Sequence, residues 1–228
     1  MKLIDTIAVA AFLVFAQVHA QASTVSPNLA SIADGRSWKV TDAIAQPAEL
    51  DGRKVVRLIA TGDSANGDVG LARPIGLTFS TGTIEVDLKG QSVRGRSFLG
   101  VAFNVVDEKT FEAIYFRPFN FKADEPFGSR SVQYISWPTN TWEHLRKNSP
   151  GQFERTVTPI PDPDGWFHAQ IEITDTKVRV FVNHAKEPSL VVKRLSPAEA
   201  PRAVALFVDS ADGLYADFTV TPNRFLSQ

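Results

Sequence analysis

Apolar and polar residues alternate along the last third of the chain, and this alternation restricts the possible folds more than any other feature. The segment 167–173 (FHAQIEI) has an apolar residue at every second position, and 178–182 (VRVFV) and 214–220 (LYADFTV) repeat this period. Successive side chains of a β-strand point to opposite faces, so a period of two places the apolar side chains on one face. Each segment is therefore predicted to be a strand that buries one face against a second layer.

The same period recurs earlier, and no long helical pattern interrupts it. The segment 83–88 (TIEVDL) alternates, whereas 97–106 (SFLGVAFNVV) and 111–117 (FEAIYFR) are apolar on both faces, as central strands are. Residues 141–147 (TWEHLRK) are predicted to form a short helical turn capped by its threonine. Further short strands are predicted at 38–40, 55–59, 132–136 and 204–208. This pattern predicts an all-β fold, an antiparallel β-sandwich that forms a single domain over residues 23–228.

Residues 1–22 have the pattern of a secretory signal peptide. An apolar run at 7–16 (IAVAAFLVFA) follows Lys2, and small residues suited to cleavage follow the run, so the mature chain is predicted to begin at Gln21 or Ser23. The run is short for a membrane span of roughly 20 residues, and a retained membrane anchor is the alternative interpretation. We expect export to the periplasm or the medium, and no membrane span in the mature chain.

The composition excludes several classes of function. The 228 residues include no cysteine, which rules out thiol catalysis and cysteine-bound metal and leaves stability to the hydrophobic core. The formal net charge is −1 and the 24 lysines and arginines form no basic run, so neither nucleic acid nor an anionic membrane is an expected partner. From the overall charge we expect a neutral ligand.

One segment, residues 110–146, is unusually aromatic. It contains two of the four tryptophans, two of the three tyrosines and five of the sixteen phenylalanines, together with side chains that carry planar hydrogen-bonding groups. A sugar offers C–H faces to aromatic rings and hydroxyl groups to planar donors and acceptors, so this mixture indicates a carbohydrate partner. The predicted carbohydrate-binding residues are Tyr115, Arg117, Asn120, Gln133, Trp142 and Arg146.

These residues also have a structural interpretation. Tyr115 could belong to the core while Arg117 forms an ion pair with an acid such as Glu112 or Asp124. The two tryptophans of the segment could anchor a long loop, and the charged residues of 141–147 could lie on a solvated helical turn.

Several motifs, in order along most of the chain, resemble those of a known superfamily. They are 82–89 (GTIEVDLK), 97–103 (SFLGVAF), 115–121 (YFRPFNF), 164–168 (DGWFH), 178–183 (VRVFVN) and 217–218 (DF). The chain resembles the concanavalin A-like lectin/glucanase superfamily and, within it, the laminin G-like domains of secreted bacterial proteins known as the 3-keto-disaccharide hydrolase (DUF1080) group. This resemblance implies a jelly-roll sandwich of two curved sheets, often with ligands on the concave face. It also implies uneven activity, since many such proteins are binding or accessory domains.

The resemblance extends only in part to a glucanase active site. Family 16 glycoside hydrolases carry a strand with the pattern E-x-D-x-x-E, whose outer carboxylates are the nucleophile and the acid/base. Glu85 and Asp87 match the first two acidic positions, but Gly90 stands at the third. Retaining hydrolysis needs two carboxyl groups about 5 Å apart. A family 16 active site is therefore not expected, and no catalytic residue is assigned.

Other candidates for chemistry lie in the last third of the chain. Trp166 and His168 are interpreted as structural packing, with a general base at His168 as the alternative, because an imidazole has a pKa near 6.5. No histidine metal motif is present and no cofactor is assigned. Asp209, Asp212 and Asp217 are interpreted as ordinary turn residues, with ligands of a structural Ca²⁺ as the alternative.

Together these patterns predict an exported β-sandwich that recognises a glycan as a binding or accessory module. One alternative is an enzyme that cleaves a glycosidic bond, by hydrolysis or by elimination from a 3-keto sugar. The other is a structural domain without a ligand. A deep cleft in which carboxylates, histidine or tyrosine converge favours the enzyme, whereas an aromatic platform is sufficient for binding.

Overall fold

A computed structural model describes residues 23–50, 52–63, 66–197 and 200–223. These residues form two antiparallel β-sheets packed face to face, with turns and one short α-helix at the surface. The predicted all-β sandwich is thereby confirmed. The predicted signal peptide, residues 1–22, lies outside the described residues.

The elements are short and are numbered here in chain order. The strands are β1 (Trp38–Thr41), β2 (Ala43–Leu50), β3 (Arg53–Ala60), β4 (Gly70–Pro74), β5 (Thr78–Phe79), β6 (Gly82–Lys89), β7 (Phe98–Asp107), β8 (Thr110–Phe116), β9 (Val132–Trp137), β10 (Glu154–Arg155), β11 (Phe167–Ile173), β12 (Lys177–Val182), β13 (Leu190–Lys193), β14 (Arg202–Asp209) and β15 (Asp212–Pro222). The helix is α1 (Trp142–Asn148), and single 3₁₀ turns occupy Leu29–Ser31, Pro118–Asn120 and Gly128–Arg130.

The two sheets have the crossed connections of a jelly roll. The larger sheet has eight strands in the order β1-β4-β14-β7-β8-β9-β10, with β5 also paired to β14. The smaller sheet has seven strands in the order β13-β12-β11-β6-β15-β3-β2. The last two strands of the chain, β14 and β15, are each inserted between earlier strands, one in each sheet. Such long returns are typical of jelly-roll sandwiches.

Strand β6 illustrates how the alternating segments bury one face. Ile84, Val86 and Leu88 are fully buried between the sheets, whereas Glu85 and Asp87 point away from the core. The same alternation places the apolar residues of β11 inside. Burial of apolar area on this scale is the main favourable term in the stability of the fold.

A buried ion pair joins the two sheets. Arg194, which follows β13 of the smaller sheet, donates from Nε to Glu112 Oε1 on β8 at 3.0 Å, and the Tyr134 hydroxyl donates to Glu112 Oε2 at 2.6 Å. Burial raises the pKa of Glu112, and the contacts with Tyr134 and Arg194 oppose this rise. Because both charges are buried, loss of either partner would leave the other uncompensated inside the protein.

The helix begins as the sequence predicts. Thr141 Oγ1 accepts a hydrogen bond from the backbone N–H of His144 at 3.3 Å, which satisfies one of the free donors of the first turn. Helix α1 lies in the connection between β9 and β10, and two of the 3₁₀ turns lie between β8 and β9. In the described part of the chain, no helix has the length and apolar character needed to cross a membrane.

Candidate functional site

A cleft of about 630 Å³ opens on the outer face of the larger sheet. In β8 the side chain of Phe116 points into the core, where its ring centroid lies 5.0 Å from that of Phe167 in the smaller sheet. Its neighbour Tyr115 therefore points to the opposite face, and there it lines the cleft. Strands provide the floor of the cleft, and the connections between strands provide its walls.

The floor is aromatic. The rings of Tyr115 on β8 and Phe207 on β14 stack with centroids 5.4 Å apart and planes inclined by 22°. Phe98 on β7 meets Tyr115 edge-on at 6.0 Å, and Phe119 meets Phe98 edge-on at 5.5 Å. Strands β7, β8 and β14 are neighbours in the sheet, so their rings form one continuous apolar surface.

The two tryptophans of the segment 110–146 have different surroundings. Trp137 stacks on Phe111 with centroids 6.3 Å apart, and its ring covers Gly67 so closely that an added Cβ would come within 2.2 Å of it. Trp142, the first residue of α1, is 39% exposed, with the Arg146 guanidinium 4.7 Å from its ring centroid. Trp137 therefore anchors a wall, whereas Trp142 offers accessible indole surface.

Arg117 is a buried cation beside the floor. The residue is 5% exposed, its Nη2 donates to the Tyr115 hydroxyl at 2.8 Å and its Nη1 donates to the Arg130 carbonyl oxygen at 2.9 Å. Neither Glu112 nor Asp124, the acids considered from the sequence, pairs with it; Glu112 lies on the core side of β8. Burial lowers the pKa of Arg117, but a guanidinium remains protonated in a protein.

Two neutral side chains complete this part of the cleft. Burial raises the pKa of Tyr115 to about 12, so its hydroxyl is protonated at neutral pH. Because that hydroxyl accepts a hydrogen bond from Arg117, its own hydrogen can be donated to a ligand. Asn120 is 4% exposed and its Nδ2 donates to the Arg130 carbonyl oxygen at 3.2 Å.

One carboxylate next to the cleft, that of Glu154, interacts with three arginines. Glu154 Oε1 and Oε2 accept hydrogen bonds from Arg146 Nε at 3.0 Å and Nη2 at 2.6 Å. Arg130 Nε lies 3.9 Å from the same carboxylate and Arg117 Nη1 lies 4.0 Å from it. The Glu154 side chain is only 7% exposed. The group therefore carries more positive than negative charge next to the cleft.

The structure brings together five of the six residues predicted to bind a ligand. Tyr115, Arg117, Asn120, Trp142 and Arg146 line the cleft.

Gln133 is the exception. It lies directly opposite Tyr115 on the neighbouring strand, but it is 1% exposed and is not a lining residue. Its Nε2 donates to the backbone oxygens of Tyr134 and Phe153 at 2.9 and 3.1 Å. The chain around Phe153 therefore covers Gln133, and its role is to support the lining from behind.

Local sequence patterns did not identify the rest of the lining. Phe98 and Phe207 lie far from the segment 110–146 in sequence, and their alternation with buried residues is that of any core strand. Arg94 precedes β7, and its guanidinium lies 4.0 Å from the Phe127 ring centroid. Only the pairing of β14, β7 and β8 brings these residues to one place.

A second polar cluster lies on the outer face of the smaller sheet, on the opposite side of the molecule. His168 Nδ1 is 2.7 Å from Asp87 Oδ1, its Nε2 is 3.4 Å from Glu85 Oε1, and Arg53 binds both Asp87 and Asp217. The hydrogen bond with Asp87 raises the pKa of His168. Partial burial alone would raise the pKa of Asp87, but hydrogen bonds from His168 and Arg53 hold it below its usual value. This cluster explains His168 as a residue that ties β11 to β6.

The aspartates considered as calcium ligands have other partners. Asp212 accepts from Arg57 Nε at 2.5 Å, and Asp217 accepts from Arg53 Nη2 at 2.6 Å. Asp209 lines the cleft and accepts a hydrogen bond from Ser210 at 2.7 Å. Over residues 23–50, 52–63, 66–197 and 200–223, no three histidine or acidic side chains are grouped to hold a metal ion.

Solved structures of similar shape identify the fold. The chain is similar to the carbohydrate-binding module CBM66 from Bacillus subtilis, with a TM-score of 0.55 and 13% identity, covering 81% of this chain and 96% of that one. It is similar to a β-glucanase from Bacillus licheniformis, with a TM-score of 0.55 and 13% identity, covering 90% and 100%. It is also similar to a Bacillus subtilis protein of unknown function with a galectin-like fold. The TM-score is 0.53 and the identity 14%, covering 89% of this chain and 97% of that one. The fold is that of the concanavalin A-like lectins and glucanases.

The predicted concanavalin A-like sandwich fold is thus confirmed. No family model matches the chain, and no curated protein matches it. The laminin G-like or DUF1080 assignment therefore stays a prediction. Within the concanavalin A-like sandwich, the cleft and the glucanase-like pair Glu85 and Asp87 lie on opposite outer faces.

Proposed function

We propose that this protein binds a glycan in the cleft on the outer face of the larger sheet. The proposal depends on one observation: an exposed indole, Trp142, and fixed planar hydrogen-bonding groups, among them Arg117 and Asn120, line the same cleft. Solved structures with the same fold include a carbohydrate-binding module and a β-glucanase, which supports a glycan as the ligand class.

The side chains of the cleft are held in place by the protein itself. Arg117 is fixed by the Tyr115 hydroxyl and a backbone carbonyl oxygen, and Arg146 is fixed by both oxygens of Glu154. Side chains ordered in advance lose little conformational freedom when a ligand binds. A sugar ring would place its C–H face on Trp142 and its hydroxyl groups against Arg117 and the Tyr115 hydroxyl.

Binding is proposed in preference to cleavage because the cleft does not contain the carboxylates of the glucanase pattern. Glu85 and Asp87 point outward from the smaller sheet. The acidic residues of the cleft lining are Glu143, on an exposed part of α1, and Asp209 at the end of β14. Cleavage of the bound glycan in the experiment below would instead support the enzyme alternative.

Calorimetric titration of the mature protein with a panel of oligosaccharides tests the proposal, with mass spectrometry of the mixtures to detect cleavage. Trp142→Ala should weaken the binding of a positive glycan about tenfold, because packing on an indole is worth about 1.5 kcal/mol. Trp166→Ala is the matched control, since it removes the same side chain from the other side of the molecule. Unchanged affinity in Trp142→Ala, with the fold intact by circular dichroism, would contradict the proposed site.

A further inference from the structure

The cleft has a charge that the overall composition does not suggest. Among the residues that the structure describes, four arginines line it, whereas the acidic residues of the lining are Glu143 and Asp209. Glu154 behind the wall is a third acid, and Arg146 occupies both of its oxygens. The chain as a whole has a formal net charge of −1, so the positive excess is local. The four arginines are Arg94, Arg117, Arg130 and Arg146.

Arg117 is the most buried of these charges. Its side chain is 6% exposed, and the groups to which it donates, the Tyr115 hydroxyl and the Arg130 carbonyl, are neutral. The nearest carboxylate, Glu154, lies 4.0 Å away and is shared with two other arginines. A buried cation is costly unless an anion pairs with it. An anion in the cleft would add the negative charge that one shared carboxylate does not supply.

Arg94 gives a second, independent indication at the rim. It is exposed, and its guanidinium lies 4.0 Å from the Phe127 ring centroid, so a cation–π contact holds it over the cleft. Arg94 takes part in none of the ion pairs of the described residues. Arg130 lies on the same ring at 5.5 Å. Phe127 therefore orients two guanidiniums beside the aromatic floor.

From this arrangement we infer that the glycan bound by the cleft is acidic, with a carboxylate or sulfate group that the arginines receive. A planar guanidinium binds such an oxyanion through two parallel N–H···O bonds. The aromatic residues Trp142 and Tyr115 would hold the sugar ring that carries the oxyanion. This inference depends on the proposed function, and it replaces the neutral ligand expected from the net charge.

Matched acidic and neutral sugars test the inference by calorimetric titration of the mature protein. The probes are oligogalacturonate, oligomannuronate and oligoglucuronate, the carboxyl-reduced form of each, and a carrageenan oligosaccharide that carries sulfate without carboxylate. At low salt an acidic probe should bind at least about tenfold more tightly than its reduced form. Raising NaCl from about 0.02 to about 0.5 M should weaken this binding, because salt screens exposed charges.

Variants assign the effect to the cleft. Arg94→Gln should weaken the acidic probe about tenfold and weaken its reduced form by a smaller factor, so the preference for the acidic form should fall. Arg179→Gln, on the outer face of the smaller sheet, removes the same charge from the molecule and should leave both affinities unchanged. Arg117→Gln should abolish the preference for the acidic form. Because Arg117 is buried, Arg117→Gln could fail to fold, and the exposed Arg94→Gln then still tests the inference.

The possible outcomes separate this inference from the proposed function. Preference for a uronate, or for the sulfated probe, supports an acidic glycan and names the oxyanion. If acidic and reduced forms bind with equal affinity, and Trp142→Ala removes this binding, the acidic specificity is overturned. Glycan binding in the cleft is then retained. If Arg94→Gln and Arg179→Gln weaken binding of the acidic probe equally, the acidic specificity of the cleft is also overturned. The loss of affinity would then come from the net charge of the protein and not from the position of Arg94. Absence of binding to every probe and to the neutral panel overturns both.

Discussion

Replacing Glu154 by Gln should destabilise the protein strongly, because that carboxylate is the shared partner of three arginines. Breaking a buried ion pair by removing one partner costs about 3–5 kcal/mol. The side chains of Arg146 and Arg130 are 25% and 28% exposed and can turn part of their charge to water, whereas Arg117 is 6% exposed and cannot. We therefore expect the free energy of unfolding to fall by about 2–4 kcal/mol.

Urea unfolding followed by tryptophan fluorescence measures this loss, with the m-value compared between variants to confirm that the folded states are equally compact. Glu143→Gln is the control, because it removes an exposed carboxylate from the nearby helix α1 and should cost less than about 1 kcal/mol. Sulfate should stabilise Glu154→Gln more than the wild type, since a dianion can replace the lost carboxylate.

A fall of less than about 1 kcal/mol in Glu154→Gln would refute this reasoning. It would mean that the three guanidiniums are hydrated well enough to need no shared acid. The argument that Arg117 is too little compensated by a shared carboxylate would then lose its support. A large fall without any stabilisation by sulfate would instead show that an anion in the cleft does not compensate the charge of the three guanidiniums.

Two further predictions concern the opposite face and the N-terminus. The raised pKa of His168 means that its contact with Asp87 contributes stability fully below about pH 6.5 and loses it as the pH rises through the raised value. The wild type should therefore lose more unfolding free energy between about pH 6 and about pH 9 than His168→Gln, and equal losses in urea unfolding would contradict this. We predict export with cleavage of the signal peptide: intact mass of protein recovered from the periplasm or the medium should show a chain that begins at Gln21 or Ser23, and a retained Met1 in a membrane fraction would favour an anchor.

The period of two predicted most of the strands that bury one face, including β1 at an edge, but it missed the edge strands β2 and β13 and also β4 inside the larger sheet. Strand β2 (AIAQPAEL) is mostly exposed along its length and contains Pro47, which a sheet tolerates only at an edge. Strand β13 (LVVK) is a four-residue strand at the opposite edge of the same sheet. A strand that is mostly exposed, such as β2, or only four residues long, such as β13, carries little periodic signal in its sequence.

The candidate site was predictable where one stretch of chain supplies it. Tyr115, Arg117 and Asn120 follow one another at the end of β8, so the sequence places them together. Phe207 reaches the floor only because β14 inserts next to β7, a long-range pairing that local patterns do not specify. The charge of the cleft was also hidden, because a net charge averages Arg94 and its neighbours with acids on distant surfaces.

The division of the cleft into a strand-built floor and a wall built by connections has a consequence for redesign. The floor residues Tyr115 and Phe207 belong to strands whose opposite faces form the core, so changing them endangers folding. Most of the wall comes from two excursions of the chain, 117–131 and 138–153, which leave the larger sheet and return to it. Exchanging these excursions while keeping β8, β9 and β10 should therefore give sandwiches with new ligand preferences on one unchanged scaffold.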